Sequence, residues 1–427
     1  MGRRTYSVCP VCLRRVPAER VREDDGTFLH KACPEHGAFR TILWRGRTDL
    51  DAWIGNAEGA PLESPRCPGA CGLCPDHLQG TCCVLLEVTK RCDLACRFCF
   101  ADGGGGAEPA FGDLEAQLRR LAVPGKTLVQ LSGGEPTTRG DLPELVAAAK
   151  AAGCRYVQLN SNGLRLAEDA GYARALAEAG LSFVFMQFDG TDDVIHERLR
   201  GRPLLAAKRR AIEHCAACNL GVTLVPTVVP GVNDHDLGGI LRLGVSLAPA
   251  VRGVHFQPVS HLGRIPAPPT DGMRFTLDEL LEGLERQAKG LLPPGRLLPS
   301  RCDHPMCGFH GDFVVGPDGR LAPLSRPRGA GSECCCGPAT ADQNRAFVAR
   351  RWLRPLPTKL EEARRQDLRD LDYFSSRVQT HGFTVTAMAF QDAGNLDLER
   401  LRRCSLHVFD HGRFVPFCAY YLSGFPA

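Results

Sequence analysis

The sequence predicts an α/β protein built on a partial barrel of six strand–helix units. Two observations carry this. Short apolar runs alternate with helix-period stretches between residues 84 and 257, the pattern of a parallel sheet. Polar residues recur where each run ends, and barrels of this kind build their sites at strand C-terminal ends. A third observation places the chemistry. The loop after the first run holds Cys92, Cys96 and Cys99 at C-x3-C-x2-C spacing.

The first run, 84–89, leads straight into that loop. Residues 107–123 carry Leu114, Leu118 and Leu121 at helical spacing. A strand over 127–131 runs into Ser132-Gly133-Gly134-Glu135-Pro136. Asp141 as N-cap, Pro143 in the first turn and Gly153 just past the end predict a helix over 142–152. The third strand, 156–159, ends in Asn160-Ser161-Asn162-Gly163, and the helix over 166–179 stops at Gly180. The fourth, 183–188, brings Gln187 and Asp189 to its end, where they line a cavity or simply close the strand. His196, Arg198 and Arg200 are expected on a solvated helix start or turn. A helix over 203–217, a strand over 222–228, a helix near 235–246 and a sixth strand over 253–257, flanked by His255 and His261, complete the set.

Beyond about residue 290 the pattern breaks at Pro293, Pro294 and Pro299. Phe313-Val314-Val315 followed by Pro317-Asp318-Gly319 predicts a hairpin. Residues 341–372 read as solvated helices, and 384–427 as strand-rich. The expected organisation is a small metal-binding unit over 1–55, a cysteine loop over 56–83, the TIM-like (β/α)6 partial barrel over 84–290 and a C-terminal auxiliary unit over 291–427.

The chain has 427 residues and 21 cysteines. A formal charge of +4 suggests no nucleic-acid partner. Neither an apolar leader nor a membrane-length apolar run is present, so a cytoplasmic, reducing setting is expected, where grouped cysteines read as metal ligands. Cys9-x2-Cys12 and Cys33-x2-His36 have the spacing of one tetrahedral metal, zinc or rubredoxin-like iron, with His36 or a later cysteine as the fourth ligand. Cys67, Cys71 and Cys74 repeat the C-x3-C-x2-C spacing in a Pro/Gly-rich loop. With Cys82 they total four thiolates, enough for a closed cubane cluster, although a second open cluster reads as well. Cys302, Cys307, Cys404 and Cys418 total four again. Cys334-Cys335-Cys336 is read as a mobile loop, and Cys83, Cys154, Cys215 and Cys218 as core or incidental.

Three thiolates in the Cys92 loop would hold three irons of a cubane and leave the fourth open. This loop resembles the signature of the radical SAM superfamily. That resemblance implies a 4Fe–4S cluster whose open iron takes S-adenosylmethionine (SAM), electron transfer that releases a 5′-deoxyadenosyl radical, and Phe98 near the adenine. Gly133-Gly134-Glu135-Pro136 resembles the superfamily's GGEP element, which contacts the amino group of SAM. Asn160, Ser161 and Asn162 are similar to its polar SAM-contacting cluster, although from residue types alone a strand-to-helix turn reads equally well. Nearly the whole chain resembles one branch, that of tetraether lipid synthase and dihydropterin methyltransferase. The carrying segments are the Cys9/Cys12/Cys33 unit, the Cys67–Cys74 loop, residues 131–137, and Asp397 to Cys418 with its Leu398-Glu399-Arg400 and Pro416-Phe417-Cys418.

The branch implies radical SAM cluster chemistry, two auxiliary 4Fe–4S clusters, one mononuclear zinc or iron and an external donor such as flavodoxin or ferredoxin. The first expectation is carbon–carbon bond formation at an unactivated sp3 carbon of a lipid-like chain, with peripheral membrane contact left open. The alternative is C-methylation of a pterin-like ring or other small heterocycle. A plain iron–sulfur carrier or a zinc-stabilised binding protein is the more distant alternative, because neither needs a site for an amino group.

Overall fold

The computed structural model describes residues 2–57, 67–68, 72–325, 339–355 and 368–425. The N-terminal unit is an antiparallel sheet in chain order: β1 (Arg3–Val8), β2 (Arg15–Glu23), β3 (Gly26–Cys33) and β4 (Gly37–Trp44). The metal-spaced residues fall in its two outer turns, between β1 and β2 and between β3 and β4. Gly37 takes φ +76° there, a left-handed conformation that glycine adopts without a Cβ penalty.

The remaining strands form one 13-stranded sheet. Its centre is β5 (Cys83–Thr89), β6 (Leu128–Gly133), β7 (Tyr156–Ser161), β8 (Phe183–Gln187), β9 (Gly221–Val225), the short β10 (Thr227–Val228) and β11 (Val251–Pro258). Neighbours pair in parallel. β6 is buried at every position, as a sheet covered on both faces requires. Pro226 lacks the N–H to continue the ladder, so the expected 222–228 strand is split into β9 and β10. The expected 166–179 helix is likewise divided. Asp169 is extended at φ −134° and accepts from the Tyr172 N–H at 3.1 Å, so one helix covers Leu164–Glu168 and a second Ala170–Glu178.

The C-terminal part adds β12 (Leu298–Pro299), β13 (Gly308–Val315), β14 (Leu321–Pro323), β15 (Gly382–Met388), β16 (Leu406–Asp410) and β17 (Arg413–Pro416). β13 and β14 are the expected hairpin. β15 lies parallel to β11, and β16 lies parallel to β5. The C-terminal strands therefore cover both edges of the six-stranded unit, giving parallel strands in the order β16-β5-β6-β7-β8-β9-β11-β15. Among the described residues the edges of β5 and β11 are thus covered, and the sheet ends instead at the short strands β12 and β17.

The helix Ala341–Trp352 corrects the expectation of a solvated face. Val348, Ala349 and Trp352 are buried, and the Trp352 ring sits 4.5 Å from Phe185 and 5.6 Å from Phe183. These aromatics share a cluster with Cys83 and Leu128, the first residues of β5 and β6. The helix thus plugs the barrel at the strands' N-terminal ends, opposite the cysteine loop. The helix Leu371–Thr380 is the one that faces solvent, with only Thr380 buried.

The N-terminal sheet is latched to residues 389–401 by buried polar groups. Arg20 Nε donates to Asp397 at 2.7 Å, Thr5 Oγ1 donates to the same carboxylate at 2.7 Å, and Lys31 Nζ reaches the Ala393 carbonyl at 2.7 Å. Burial alone would raise the Asp397 pKa. The Arg20 charge and the Thr5 hydroxyl outweigh it and hold the carboxyl below its ordinary 3.8. A depressed carboxylate contributes stability that is complete above 3.8 and lost as the pH falls through the folded-state value. Asp397→Asn takes the carboxylate from a buried guanidinium and is expected to cost on the order of 3 kcal/mol. The loss should show at pH 7 in denaturant melts and shrink at acid pH. An unchanged midpoint would mean the latch carries no weight.

Candidate active site

The three-cysteine loop begins where β5 ends. The Arg91 N–H donates to Thr89 Oγ1 at 3.0 Å. The Gly134 N–H bonds the Thr89 carbonyl at 2.9 Å and the Glu135 N–H bonds the Arg91 carbonyl at 2.7 Å, so the end of β6 is stitched to the loop. This explains the glycine pair. A Cβ on Gly133 would overlap the Thr89 carbonyl, one on Gly134 would overlap that of Arg91, and Gly133 sits at φ +125°. The close approach that the glycines permit is between loop and strand backbone. The far side of the loop is fixed by the Cys99 N–H to the Arg264 carbonyl at 3.1 Å, the reciprocal Arg264 N–H to Cys99 at 2.9 Å, and the Arg97 N–H to Leu199 at 3.2 Å. The Arg264 side chain pairs with Asp102 at 3.0 Å. Pro136 starts a short helical turn after Glu135.

Glu135 is 2% exposed. One carboxylate oxygen accepts from the Thr137 N–H (3.1 Å), Thr137 Oγ1 (2.7 Å) and Ser161 Oγ (2.8 Å). Among the described residues the other accepts only the Asn162 N–H, at 2.6 Å. That second oxygen keeps a lone pair for one more donor. Burial pushes the Glu135 carboxyl up, against the bonds from Asn162 and Thr137, and a cation beside it would relieve that cost. Asn162 also donates to Asp93 in the cysteine loop at 2.6 Å, so the end of β7 joins the carboxylate to the loop. Asn160 makes no bond to Glu135 and accepts from Gln158 at 2.6 Å.

Behind these lies a buried charged group at the end of β8. Arg200 forks onto Asp189 with two 2.7 Å bonds, and the Gln187 amide sits between Arg200 at 3.1 Å and Lys208 at 3.5 Å. Lys208 donates to the Asn162 carbonyl. Burial pushes Lys208 down to about 8, opposed by Asp189. The expectation that His196 and Arg200 are solvated is corrected. They lie on the helix Asp193–Arg200, whose inner face buries both, and the His196 ring bonds the Gly190 carbonyl at 3.0 Å. Lys208 was legible as an anomaly. It shares the apolar stripe of its helix with Ala211, Ile212 and Cys215, at i, i+3, i+4 and i+7.

Phe98 packs beside Ile195, Leu199, Val229 and Val259, and meets the buried His261 ring edge-on at 6.1 Å. The His261 N–H donates to Asp392 at 3.2 Å, and Arg274 holds Asp392 with bonds of 2.7 and 3.0 Å. The C-terminal stretch thereby reaches the barrel mouth through Asp392, a contact with no local signal in the sequence.

In the N-terminal sheet, Cys9, Cys12, Cys33 and His36 bring ligand atoms within 4.8 Å of one another. Cys12 and Cys33 sulfurs are 3.9 Å apart, and His36 Nδ1 lies 3.7 Å from Cys9 and 3.5 Å from Cys33. Sulfurs about 2.3 Å from one tetrahedral ion stand nearly this far apart. His36, rather than a later cysteine, completes the set. Its ring and the Glu35 N–H draw the Cys33 thiol down to about 6, which favours the thiolate a metal takes. His36→Ala is expected to shed its ion on dialysis against a chelator, while His36→Cys keeps about one per chain. Equal retention by both would place the fourth ligand elsewhere.

The other cysteines divide. Cys302 shares an apolar cluster with Cys82 and Cys83, whose sulfurs are 3.7 Å apart, and Asn344 donates to Cys82 at 3.3 Å. Cys307, Cys404 and Cys418 line a cavity of their own. Cys67 packs near Phe100 and Phe417. Residues 72–83 lie along 402–407, with the Leu78 N–H on Arg402, the Cys82 N–H on Ser405, and Cys74 ahead of them beside His77. Cys71 and Cys334–Cys336 lie outside the described residues.

A thiol loop at the open end of a partial barrel, with a buried carboxylate awaiting a cation, is the arrangement expected of radical SAM enzymes. A family model described as the radical SAM superfamily matches residues 86–244, and one described as the HMPTM N-terminal zinc ribbon domain matches residues 1–45. The chain is 32% identical over 480 residues to the 7,8-dihydro-6-hydroxymethylpterin dimethyltransferase of Methanocaldococcus jannaschii, covering 98% of this chain and 93% of that one. It therefore belongs to the radical SAM superfamily, in the family of that dimethyltransferase. A GTP 3',8-cyclase of Erythrobacter litoralis is 32% identical over 37% of this chain and 48% of its own. The chain thus spans about half of that cyclase. Among solved structures, SuiB of Streptococcus suis bound to its precursor peptide covers 50% of this chain and 45% of its own at 15% identity and a TM-score of 0.40. Among the described residues no helix is long and apolar enough to cross a membrane.

Proposed function

We propose that this enzyme is a radical SAM C-methyltransferase acting on a dihydropterin-like ring. The extent of the similarity carries the reading. The dimethyltransferase aligns across ribbon, barrel and C-terminal strands alike, and the ribbon has its own family match. Coupling of a lipid chain, the first expectation from sequence, finds no such support among these relatives, and the heterocycle takes its place.

The donor set fits the implied groups: three thiols on one loop for a 4Fe–4S cluster, and a buried carboxylate with a spare lone pair for the ammonium of SAM. Bound together, cluster and SAM supply a 5′-deoxyadenosyl radical able to take hydrogen from carbon. In this reading Cys92, Cys96 and Cys99 hold the cluster, Glu135 takes the amino group, Ser161 and Asn162 orient Glu135, and Phe98 flanks the adenine. Asn160 and Gln187 line the chamber, and Lys208 and Arg200 keep its floor cationic. Cys67, Cys71, Cys74 and Cys82, and among the C-terminal cysteines Cys307, Cys404 and Cys418, serve auxiliary clusters, and a small external reductant of the flavodoxin or ferredoxin kind supplies electrons in the cytoplasm.

Glu135→Gln is expected to weaken SAM binding ten- to hundredfold, about 1.5–3 kcal/mol. If the amide oxygen keeps the Thr137 and Ser161 donors, its NH2 faces the Asn162 N–H, donor against donor. Calorimetric titration with SAM, beside a melt without SAM, separates the two losses. An unchanged dissociation constant would put the amino group elsewhere.

The reaction is tested by anaerobic incubation of reconstituted enzyme with reductant, methyl-labelled SAM and 7,8-dihydro-6-hydroxymethylpterin. A pterin heavier by one or two methyl groups is expected, and the label shows whether SAM supplies them. An inert pterin, with coupled chains formed from an isoprenoid lipid instead, would overturn the reading.

A further inference from the structure

The cavity at the junction of β13, β15 and β16 is lined by Cys307, Cys404, Cys418, Asp303, Arg400 and Phe417, among others. Sequence grouping would complete the three thiols with Cys302. The structure turns Cys302 into the apolar cluster of Cys82, Phe183 and Trp352, and it is Asp303, the next residue, that lines the cavity.

We propose that this cavity binds an auxiliary 4Fe–4S cluster through Cys307, Cys404, Cys418 and the Asp303 carboxylate, with Arg400 balancing its charge and Cys302 taking no part. The proposal rests on the radical SAM reading for the cluster type and on three observations for the ligands.

First, the spacing suits a cluster and not a single ion. Among the described residues, only the ribbon set gathers its ligand atoms within 4.8 Å, so the three cavity thiols stand wider apart than a lone tetrahedral ion allows. Second, the cavity holds a cation that lacks an anion. Arg400 is 4% exposed and has no carboxylate partner among the described residues. One of its nitrogens bonds the Ala389 carbonyl at 2.8 Å, and its Nε has no partner among the described residues. A buried guanidinium costs several kcal/mol unless something negative faces it. A cluster with thiolate and carboxylate ligands is negative, and Arg400 and Cys307 line the same cavity. Third, Asp303 is half-buried and lines the cavity with no cation paired to it among the described residues. Its Oδ1 accepts the Ser405 N–H at 2.8 Å, which fixes the carboxylate next to Cys404. The Cys418 sulfur already accepts the Gln391 N–H at 3.2 Å, the kind of bond that steadies a thiolate ligand and tunes its cluster.

The test compares four full-length, reconstituted variants by iron content, Mössbauer spectroscopy and EPR. Cys404→Ala should lose about four irons per chain. Asp303→Asn keeps an acceptor for Ser405 but is a poor iron ligand. It should convert one cluster to a three-iron form and lose about one iron, with normal circular dichroism. Asp303→Cys should restore the four-iron spectrum, and Cys302→Ala should never show the three-iron form. A three-iron form in Cys302→Ala, with an unchanged spectrum in Asp303→Asn, would overturn the ligand assignment and leave the cluster in place. Wild-type protein that reconstitutes with only the Cys92-loop cluster would instead refute the auxiliary cluster itself.

Discussion

Replacing Cys92, Cys96 and Cys99 together with alanine is expected to bring 5′-deoxyadenosine formation down to the protein-free background, while the ribbon metal and other bound iron remain. The loop is held by backbone bonds to Thr89, Leu199 and Arg264 and by the Asp93–Asn162 contact, none of which uses a thiol. Removing the three sulfurs should therefore leave the fold intact, since only part of the loop's order comes from them. Cys96 is 9% exposed and packs with Leu94, Leu164 and Leu204, so its loss opens a small void worth about 1–2 kcal/mol. SAM affinity through Glu135 should fall less than turnover, because the carboxylate keeps its four donors. The measurement is 5′-deoxyadenosine by chromatography after reduction, beside iron analysis and a thermal melt. Full yield from the triple variant would show that another thiol group cleaves SAM.

What could be read from the chain was what lies close together in it. The three-cysteine loop, the glycine pair before Glu135, the ribbon knuckles and the β13–β14 hairpin are each set by residues within a few positions of one another. Their spacing alone carried the chemistry, and the six central strands followed from local alternation. What stayed hidden depends on distant contacts. β16 pairs with β5 from more than three hundred residues away, and its Leu406-His407-Val408 reads like any short strand. The helix Ala341–Trp352 looked solvated because its buried stripe is thin and flanked by arginines. Only the aromatics of β8 show that it fills the barrel. Arg200 and Lys208 were the misleading kind of residue. A charge on a helix is usually solvated, and nothing nearby in sequence says that Asp189 waits for Arg200 at the end of the preceding strand. The grouping of Cys302 failed for a related reason. Cys302 and Asp303 are neighbours in a bend, yet Cys302 joins the apolar cluster of Trp352 while Asp303 lines the thiol cavity, a split that no local spacing marks.

Ending the chain at residue 381 is expected to cost the whole fold, not only a cover over the chamber. The sequence sets residues 291–427 apart as an auxiliary unit, which would make their last part dispensable to the barrel. In the structure that part supplies β15, hydrogen-bonded along β11 from Gly253 to Phe256, and β16, paired with the first residues of β5. Without them both edges of a long, apolar parallel sheet face water, an aggregation template. The loss of core is as serious. Phe383, Val385, Leu396, Leu398, Leu401, Val408, Phe409 and Phe417 are each 4% exposed or less. Burying side chains of this kind is worth about 1.5–3 kcal/mol apiece. Eight of them amount to about 12–24 kcal/mol, as much as or more than the 5–15 kcal/mol by which a typical domain is stable. The ribbon would lose its anchor as well, since Arg20, Thr5 and Lys31 all bind the removed segment. The truncated chain should appear in the insoluble fraction, or elute as an aggregate without a cooperative melt. A soluble monomer that melts within a few degrees of the full chain and still makes 5′-deoxyadenosine would show that β5 to β11 are a self-sufficient barrel and that the C-terminal strands are an accessory to it.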